Sequence, residues 1–254
     1  MIDTHSHVLP GIDDGAKSVD ITLEMLKHAE QDGVKKIVAT PHYCLEYAEA
    51  PYQQVKDLTV QINNLCKQEG INIEIYHGQE VFFSEDIIED YKSGIIGTIN
   101  DSKYMLIEFP VTKFPKETFE LLYELQLKGI VPIIAHPERY NTFIEKPSEI
   151  NKFIDEGYLF QLDSGSIEGV FGSKVKKTAE IFTNHNIYNF IGSDAHNTRS
   201  RCMGLSGAMK IIEKKTKTNK ESFIESADKM LKNKDVIFDG MKISDKKGIF
   251  SFFK

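Results

Sequence analysis

Nine residues spread along this chain are of types that hold divalent metal, and nearly all stand at the same kind of place. His5 and His7 alternate in the opening segment, where a strand's period of two sets both imidazoles on one face. Asp13 and Asp14 follow in the next loop. His42 comes after Ile37-Val38-Ala39, Glu80 after the alternating run 71–75, Glu108 after the run 103–107, His136 after the run 130–135, and Asp194 and His196 after the run 187–191. A single histidine at such a position is ordinarily a core residue satisfied by hydrogen bonds, and a single glutamate is ordinarily exposed. Six strand ends of this kind are not explained by packing, so the set reads as a metal site. The candidate ligands are His5, His7, Asp14, His42, Glu80, Glu108, His136, Asp194 and His196, five imidazoles and four carboxylates. That number exceeds the needs of one four-coordinate ion and fits two or three ions sharing bridging carboxylates. Nitrogen and oxygen donors without cysteine suit zinc, manganese or iron, and not an all-oxygen magnesium or calcium site.

Clustered divalent ions with open positions carry out hydrolysis, in particular in-line phosphoryl displacement. Arg139, three residues after His136, and Arg199 or Arg201 after His196 offer the planar donor forks that non-bridging phosphate oxygens accept. Other phosphate and acyl chemistries lack their residues: there is no Gly-x-x-x-x-Gly-Lys loop, dinucleotide glycine fingerprint or Gly-x-Ser-x-Gly elbow. A cysteine phosphatase needs an arginine six positions after its nucleophile, but Ala50, Asn72 and Ala208 stand six beyond Cys44, Cys66 and Cys202.

Positioning these residues falls to a repeated unit of strand, polar strand end, helix and terminating glycine. Helical periodicity predicts helices over 19–32, 52–69, 84–92, 116–128, 147–156, 173–185, 204–216 and 219–232, with Ser18 as the first N-cap and Gly33, Gly70 and Gly129 as stops. Seven strand-like segments lie between most of them, and Pro132 marks the start of the regular ladder in its strand. Alternating β and α units predict an α/β fold, a doubly wound sheet or a closed barrel, both of which place chemistry at the carboxyl ends of parallel strands.

With 254 residues, 41% hydrophobic and 27% charged, the chain suits one domain over 1–254 and excludes disordered and fibrous classes. A net charge of −7 speaks against nucleic acid as the main partner. No basic-then-apolar leader and no apolar stretch near eighteen residues is present, and three unpaired cysteines suit a reducing compartment, so a cytoplasmic protein without a membrane span is expected. A tail over 241–254 ends in the apolar run 248–254, which is expected to pack back onto the domain.

The motifs together resemble the polymerase and histidinol phosphatase (PHP) superfamily. Within it they are similar to the manganese-dependent protein-tyrosine phosphatases that Gram-positive bacteria encode with capsule or exopolysaccharide genes. The carrying segments are Asp3 to Gly15, Thr40-Pro41-His42, Gly78-Gln79-Glu80, Leu106-Ile107-Glu108-Phe109, Ile134 to Arg139 and Ser193 to Asn197, in that order. The resemblance implies a distorted (β/α)7 TIM-like barrel with three metals. One would lie near His5, His7, Glu80 and Asp194, one near Glu80, Glu108 and His136, and one near Asp14, His42 and His196. It also implies that Arg139 and Arg201 contact phosphate; the motif does not decide whether Asp13 binds metal, and a supporting or loop-capping role is expected for it. The implied substrate is phosphotyrosine in the C-terminal tail of a cognate tyrosine kinase governing capsular polysaccharide synthesis, which would bring the enzyme to the inner membrane face. A small-molecule phosphatase, such as one acting on histidinol phosphate, is the alternative from the same superfamily.

Overall fold

The computed structural model describes residues 1–215 and 220–244. The described strands are β1 (Ile2–Ser6), β2 (Lys36–Ala39), β3 (His42–Cys44), β4 (Ala48–Glu49), β5 (Glu74–His77), β6 (Glu80–Phe82), β7 (Tyr104–Glu108), β8 (Val131–Ala135), β9 (Leu159–Asp163) and β10 (Phe190–Gly192). The helices are α1 (Val19–Gln31), α2 (Tyr52–Glu69), α3 (Ile87–Ser93), α4 (Thr118–Leu127), α5 (Asn141–Glu145), α6 (Ile150–Asp155), α7 (Ser164–Glu168), α8 (Ser173–Asn184), α9 (Ser206–Lys215) and α10 (Lys220–Leu231). All eight expected helices are present within a few residues, and Ser18 does cap α1, its side chain accepting from Ile21 N at 3.4 Å. The apolar run at 248–254 lies outside the described residues.

The strands form two sheets, and no closed sheet is present among the described residues. One has three strands in the order β1-β2-β5, and the other has seven in the order β10-β9-β8-β7-β6-β3-β4, parallel except for β3 against β4. Two apolar runs break in mid-course and change sheet. Pro41, which has no N–H to donate, separates β2 from β3, and Gly78-Gln79 separates β5 from β6. β2 then pairs with β5, and β3 pairs with β6. At the break Thr40 N donates to Ser6 O at 2.8 Å and Glu80 N to Pro41 O at 3.1 Å. β1 meets the other sheet through a single bridge between Ser6 and Ala195 and a bond from Asp194 N to His5 O at 2.9 Å. The fold is therefore mixed α/β with largely parallel strands. The short strands β3 and β6 also correct the local reading: His42 and Glu80 begin strands of their own.

Strand alternation sorts the side chains into two faces. Met105 and Ile107 of β7, Ile134 of β8, Phe160 and Leu162 of β9 and Ile191 of β10 join the large core shared with the helices. Tyr104, Leu106, Ile133, Leu159 and Phe190 point the other way and pack with Ala227, Met230 and Leu231 of α10. By the same period of two, Glu108 continues the face of Tyr104 and Leu106, and Gln161 and Asp163 continue that of Leu159. On β7 and β9 this face thus changes from apolar to polar along the strand. Pro132 pairs with Met105 on one side only, since β9 joins from Ile133 onward, as its position at the start of the ladder predicts.

Candidate metal centre

His5, on β1, and His7, just beyond it, are fully buried, and their Nε2 atoms converge to 3.1 Å. Their outer nitrogens are each tied back: His5 Nδ1 meets Gln161 Oε1 at 3.0 Å and His7 Nδ1 meets Asp13 Oδ2 at 2.7 Å. Anchoring one ring nitrogen fixes the ring and turns the other inward, an arrangement that metal-ligating histidines adopt. Asp13 is itself held, accepting from Gly15 N at 2.8 Å and His42 N at 3.1 Å. Gly15 is required by space, because a Cβ there would lie 2.1 Å from His7 O. His196 is oriented in a similar way, its Nδ1 lying 2.9 Å from the Asp194 carbonyl oxygen.

Glu80 is the hub. Its Oε2 lies 3.1 Å from His5 Nε2, 3.2 Å from His7 Nε2 and 3.2 Å from His42 Nδ1, and its Oε1 lies 2.8 Å from His136 Nε2. Asp194 Oδ1 approaches His5 Nε2 at 3.4 Å and His7 Nε2 at 3.2 Å. Asp14 Oδ1 faces His196 Nε2 at 3.2 Å and His42 Nε2 at 3.7 Å, while Glu108 lies 3.7 Å from His42 and 3.6 Å from His136. All nine expected residues therefore meet in one place. Three groups have ligand atoms close enough to share an ion: His5, His7, Glu80 and Asp194; His7, Asp14, His42 and His196; and His42, Glu80 and Glu108. The first agrees with the expected grouping. The second adds His7, and the third contains His42 where His136 was expected, although His136 borders both carboxylates.

Charge and burial suit this centre to cations. Burial opposes a positive charge on His5, but Glu80 and Asp194 outweigh it and push the imidazole up to about 9. Burial likewise opposes ionisation of Glu80, yet His5 and His42 hold it well below the usual carboxylate range. Glu108 has less cationic support, and burial with the neighbouring Glu80 charge pushes it up to about 8. Burial and the Arg139 charge push His136 down to about 4, leaving its imidazole neutral. Asp14 Oδ1, His42 Nδ1, Asp194 Oδ1 and His196 Nε2 are buried without a hydrogen bond of good geometry. Carboxylate oxygens and inward ring nitrogens without a hydrogen-bond partner are the donor set that divalent ions complete. His136 and Asp194 also hold left-handed backbone, with φ of 32° and 49°, a strained conformation for residues with a Cβ.

Residues 1–232 match the family described as capsular polysaccharide synthesis, CpsB/CapC. The chain belongs to that family. It is 33% identical to the tyrosine-protein phosphatase YwqE of Bacillus subtilis over 254 residues, all of both chains. It is 34% identical to the putative tyrosine-protein phosphatase CapC of Staphylococcus aureus, over 96% of this chain and 93% of that one. The solved structures of YwqE and of CpsB from Streptococcus pneumoniae are described as unique metal-dependent tyrosine phosphatases. This fold matches one chain from that pair of structures with a TM-score of 0.89 at 33% identity, over 96% of this chain and 100% of the solved one.

In this CpsB/CapC chain the two arginines converge on one carboxylate. Arg139, delivered by a 3-10 turn over Pro137–Arg139, reaches Asp194 Oδ2 at 2.7 Å and Asp163 Oδ2 at 3.5 Å. Arg201 bonds the same Asp194 oxygen and keeps a buried, unpartnered Nε. The return of Arg201 is built by Asn197, whose Oδ1 accepts from the backbone N–H groups of Arg199, Ser200 and Arg201. Arg199 is exposed, and Arg201 is the one of the two candidates that reaches Asp194. Sequence reasoning passed over Gln161, Asp163 and Tyr47. The first two alternate with Phe160 and Leu162, and that alternation was the available signal. Burial and the neighbouring Glu108 charge raise the Cys44 thiol above its ordinary value, which disfavours the thiolate there.

Proposed function

We propose that this protein is a metal-dependent tyrosine phosphatase whose nine strand-end residues hold three divalent ions. Manganese is the proposed metal, with iron or zinc acceptable to the same donors. His5, His7, Glu80 and Asp194 would hold one ion, Glu80, Glu108 and His136 a second, and Asp14, His42 and His196 a third. When bound, the ions supply an activated water and charge for the attacking and leaving oxygens. Arg139 and Arg201 present their remaining N–H donors to the non-bridging phosphate oxygens, while Asp194 keeps both guanidinium groups at one edge of the centre. Asp13 and Gln161 fix the rings of His7 and His5 from behind. A phenol leaving group, with a pKa near 10, needs less help from an acid than an alkoxide does.

The substrate we propose is phosphotyrosine in the tail of a cognate bacterial tyrosine kinase acting in capsular polysaccharide synthesis. The enzyme would be cytoplasmic and reach the inner membrane face through that kinase; no helix among the described residues is long and apolar enough to cross a membrane. We further take residues 1–254 as one domain and the two sheets as a distorted seven-unit barrel, opened where Pro41 and Gly78 interrupt its strands. The observation that carries the functional reading is the sharing of Glu80 among four imidazoles beside two arginines on Asp194. The test compares turnover of a phosphotyrosine kinase-tail peptide with that of histidinol phosphate in manganese. The reading expects strong preference for the peptide, and preference for histidinol phosphate overturns it.

A further inference from the structure

The centre's donors recognise phosphate, but nothing in them recognises the aromatic ring that distinguishes phosphotyrosine from other phosphate esters. The hairpin of β3 and β4 supplies a candidate surface. Tyr47 at its turn is 64% exposed, and the neighbouring Leu45 is 45% exposed. An exposed aromatic residue is unremarkable when it stands alone, but this one is attached to the site. Its hydroxyl donates to Asp14 Oδ2 at 3.2 Å, and its ring stands edge-on to His42, with centroids 6.0 Å apart.

The hairpin holds that ring firmly. Tyr43 pairs with Glu49 and Cys44 with Ala48, Tyr47 N donates to Cys44 O at 3.1 Å, and Glu46 N donates to Glu49 Oε1 at 2.8 Å. Glu46 takes a left-handed φ of 64° to make the turn. Tyr43 and Ala48 are buried beneath it, and Gln79 Nε2 anchors the following Ala50 O at 2.7 Å. Two other aromatic side chains beside the centre are already engaged: Tyr140, whose ring centroid lies 5.9 Å from that of His136, is buried, and the Arg139 guanidinium carbon lies 4.6 Å from the centroid of the Phe171 ring. Tyr47 offers an open ring next to Asp14.

We propose that Tyr47 is the specificity-determining residue that packs against the phenyl ring of substrate phosphotyrosine, with Leu45 extending the apolar platform. This rests on the phosphatase reading above. Because Tyr47 borders Asp14 and His42, an aryl group on a phosphate bound at the centre would come within reach of its ring, whereas a short alkyl group would not fill the platform. Stacked or edge-on aromatic pairs are worth about a three- to tenfold difference in affinity.

The experiment measures KM and kcat for a phosphotyrosine peptide and for its phosphoserine counterpart, using wild type, Tyr47→Ala and Tyr47→Phe, each loaded with manganese. We expect Tyr47→Ala to raise KM for phosphotyrosine by about three- to tenfold while changing KM for phosphoserine by less than about twofold. Tyr47→Phe, which keeps the ring and loses the bond to Asp14, should retain the aryl preference. A KM for phosphotyrosine in Tyr47→Ala equal to that of wild type overturns the inference. So does an equal loss of kcat on both peptides in both variants, which would make Tyr47 a support for Asp14. Absence of turnover of either peptide by manganese-loaded wild type overturns the phosphatase reading itself, an outcome distinct from the other two.

Discussion

The two ends of one strand face make a direct contrast. At the end covered by α10, Tyr104, Leu106, Ile133, Leu159 and Phe190 are all buried against Met230 and Leu231. A few residues further along the same direction, that face carries Glu108, Gln161 and Asp163, joined by His5, His7, Glu80 and Asp194, all but Glu108 almost wholly buried. The apolar end needs only shape and contact. The ionisable end concentrates carboxylates and imidazoles that desolvation penalises, and it places His136 and Asp194 in strained backbone. Cohesion at one end lets the other hold groups that would not assemble unaided.

The largest effect expected from this contrast is on the ionisable side. Glu80→Gln should reduce kcat/KM for a phosphotyrosine peptide on the order of a thousandfold, the several kcal/mol that bound metal supplies to such a reaction. Its unfolding midpoint without added metal should stay close to that of wild type. A large loss of stability together with activity would erase the distinction between the ends. Leu106→Ala makes the reciprocal change: it should lower unfolding free energy by about 2–5 kcal/mol in denaturant titration. Its metal content per folded molecule should be unaltered.

Smaller effects sharpen the picture within the centre. Asp13→Ala removes the partner of His7 Nδ1 and should weaken metal affinity by about 10–100-fold without eliminating any proposed ligand. Competition with a chelator of known affinity would measure it, and an unchanged affinity would make the Asp13 contact incidental. The pH dependence follows from Glu108 near 8 and His5 near 9 in the metal-free protein. Both groups carry a proton at neutral pH, and a cation must displace it. Metal affinity should therefore rise with pH up to about 9. Each unit below that range should cost up to about tenfold for each proton displaced. A flat profile between pH 6 and 9 would mean that neither group binds metal.

Most of the nine clustered residues could be read from sequence because they follow an apolar run, where a polar residue has few packing reasons to exist; Asp14, in the first loop, stands apart from that pattern. The helices were legible for a similar reason, through their period and their glycine stops. The break into two sheets was not. β3 and β6 have three residues each, too few to show an alternation, and Pro41 and Gly78 look like ordinary loop residues until their neighbours are seen to pair. Gln161 and Asp163 were hidden by lying within a strand or at its last residue, where their partners come from β1 and from the turn after β8. Tyr47 gave no signal, since only the hairpin brings it beside Asp14.

The central claim, a shared multi-ion centre with an arginine-bound phosphate, is tested most directly by an anomalous-diffraction structure of the manganese-loaded protein with phosphate. The account predicts three ions within the nine residues, with Glu80 touching two of them, and phosphate oxygens within hydrogen-bond distance of both Arg139 and Arg201. A single ion at full occupancy, or phosphate bound away from both arginines, would contradict it.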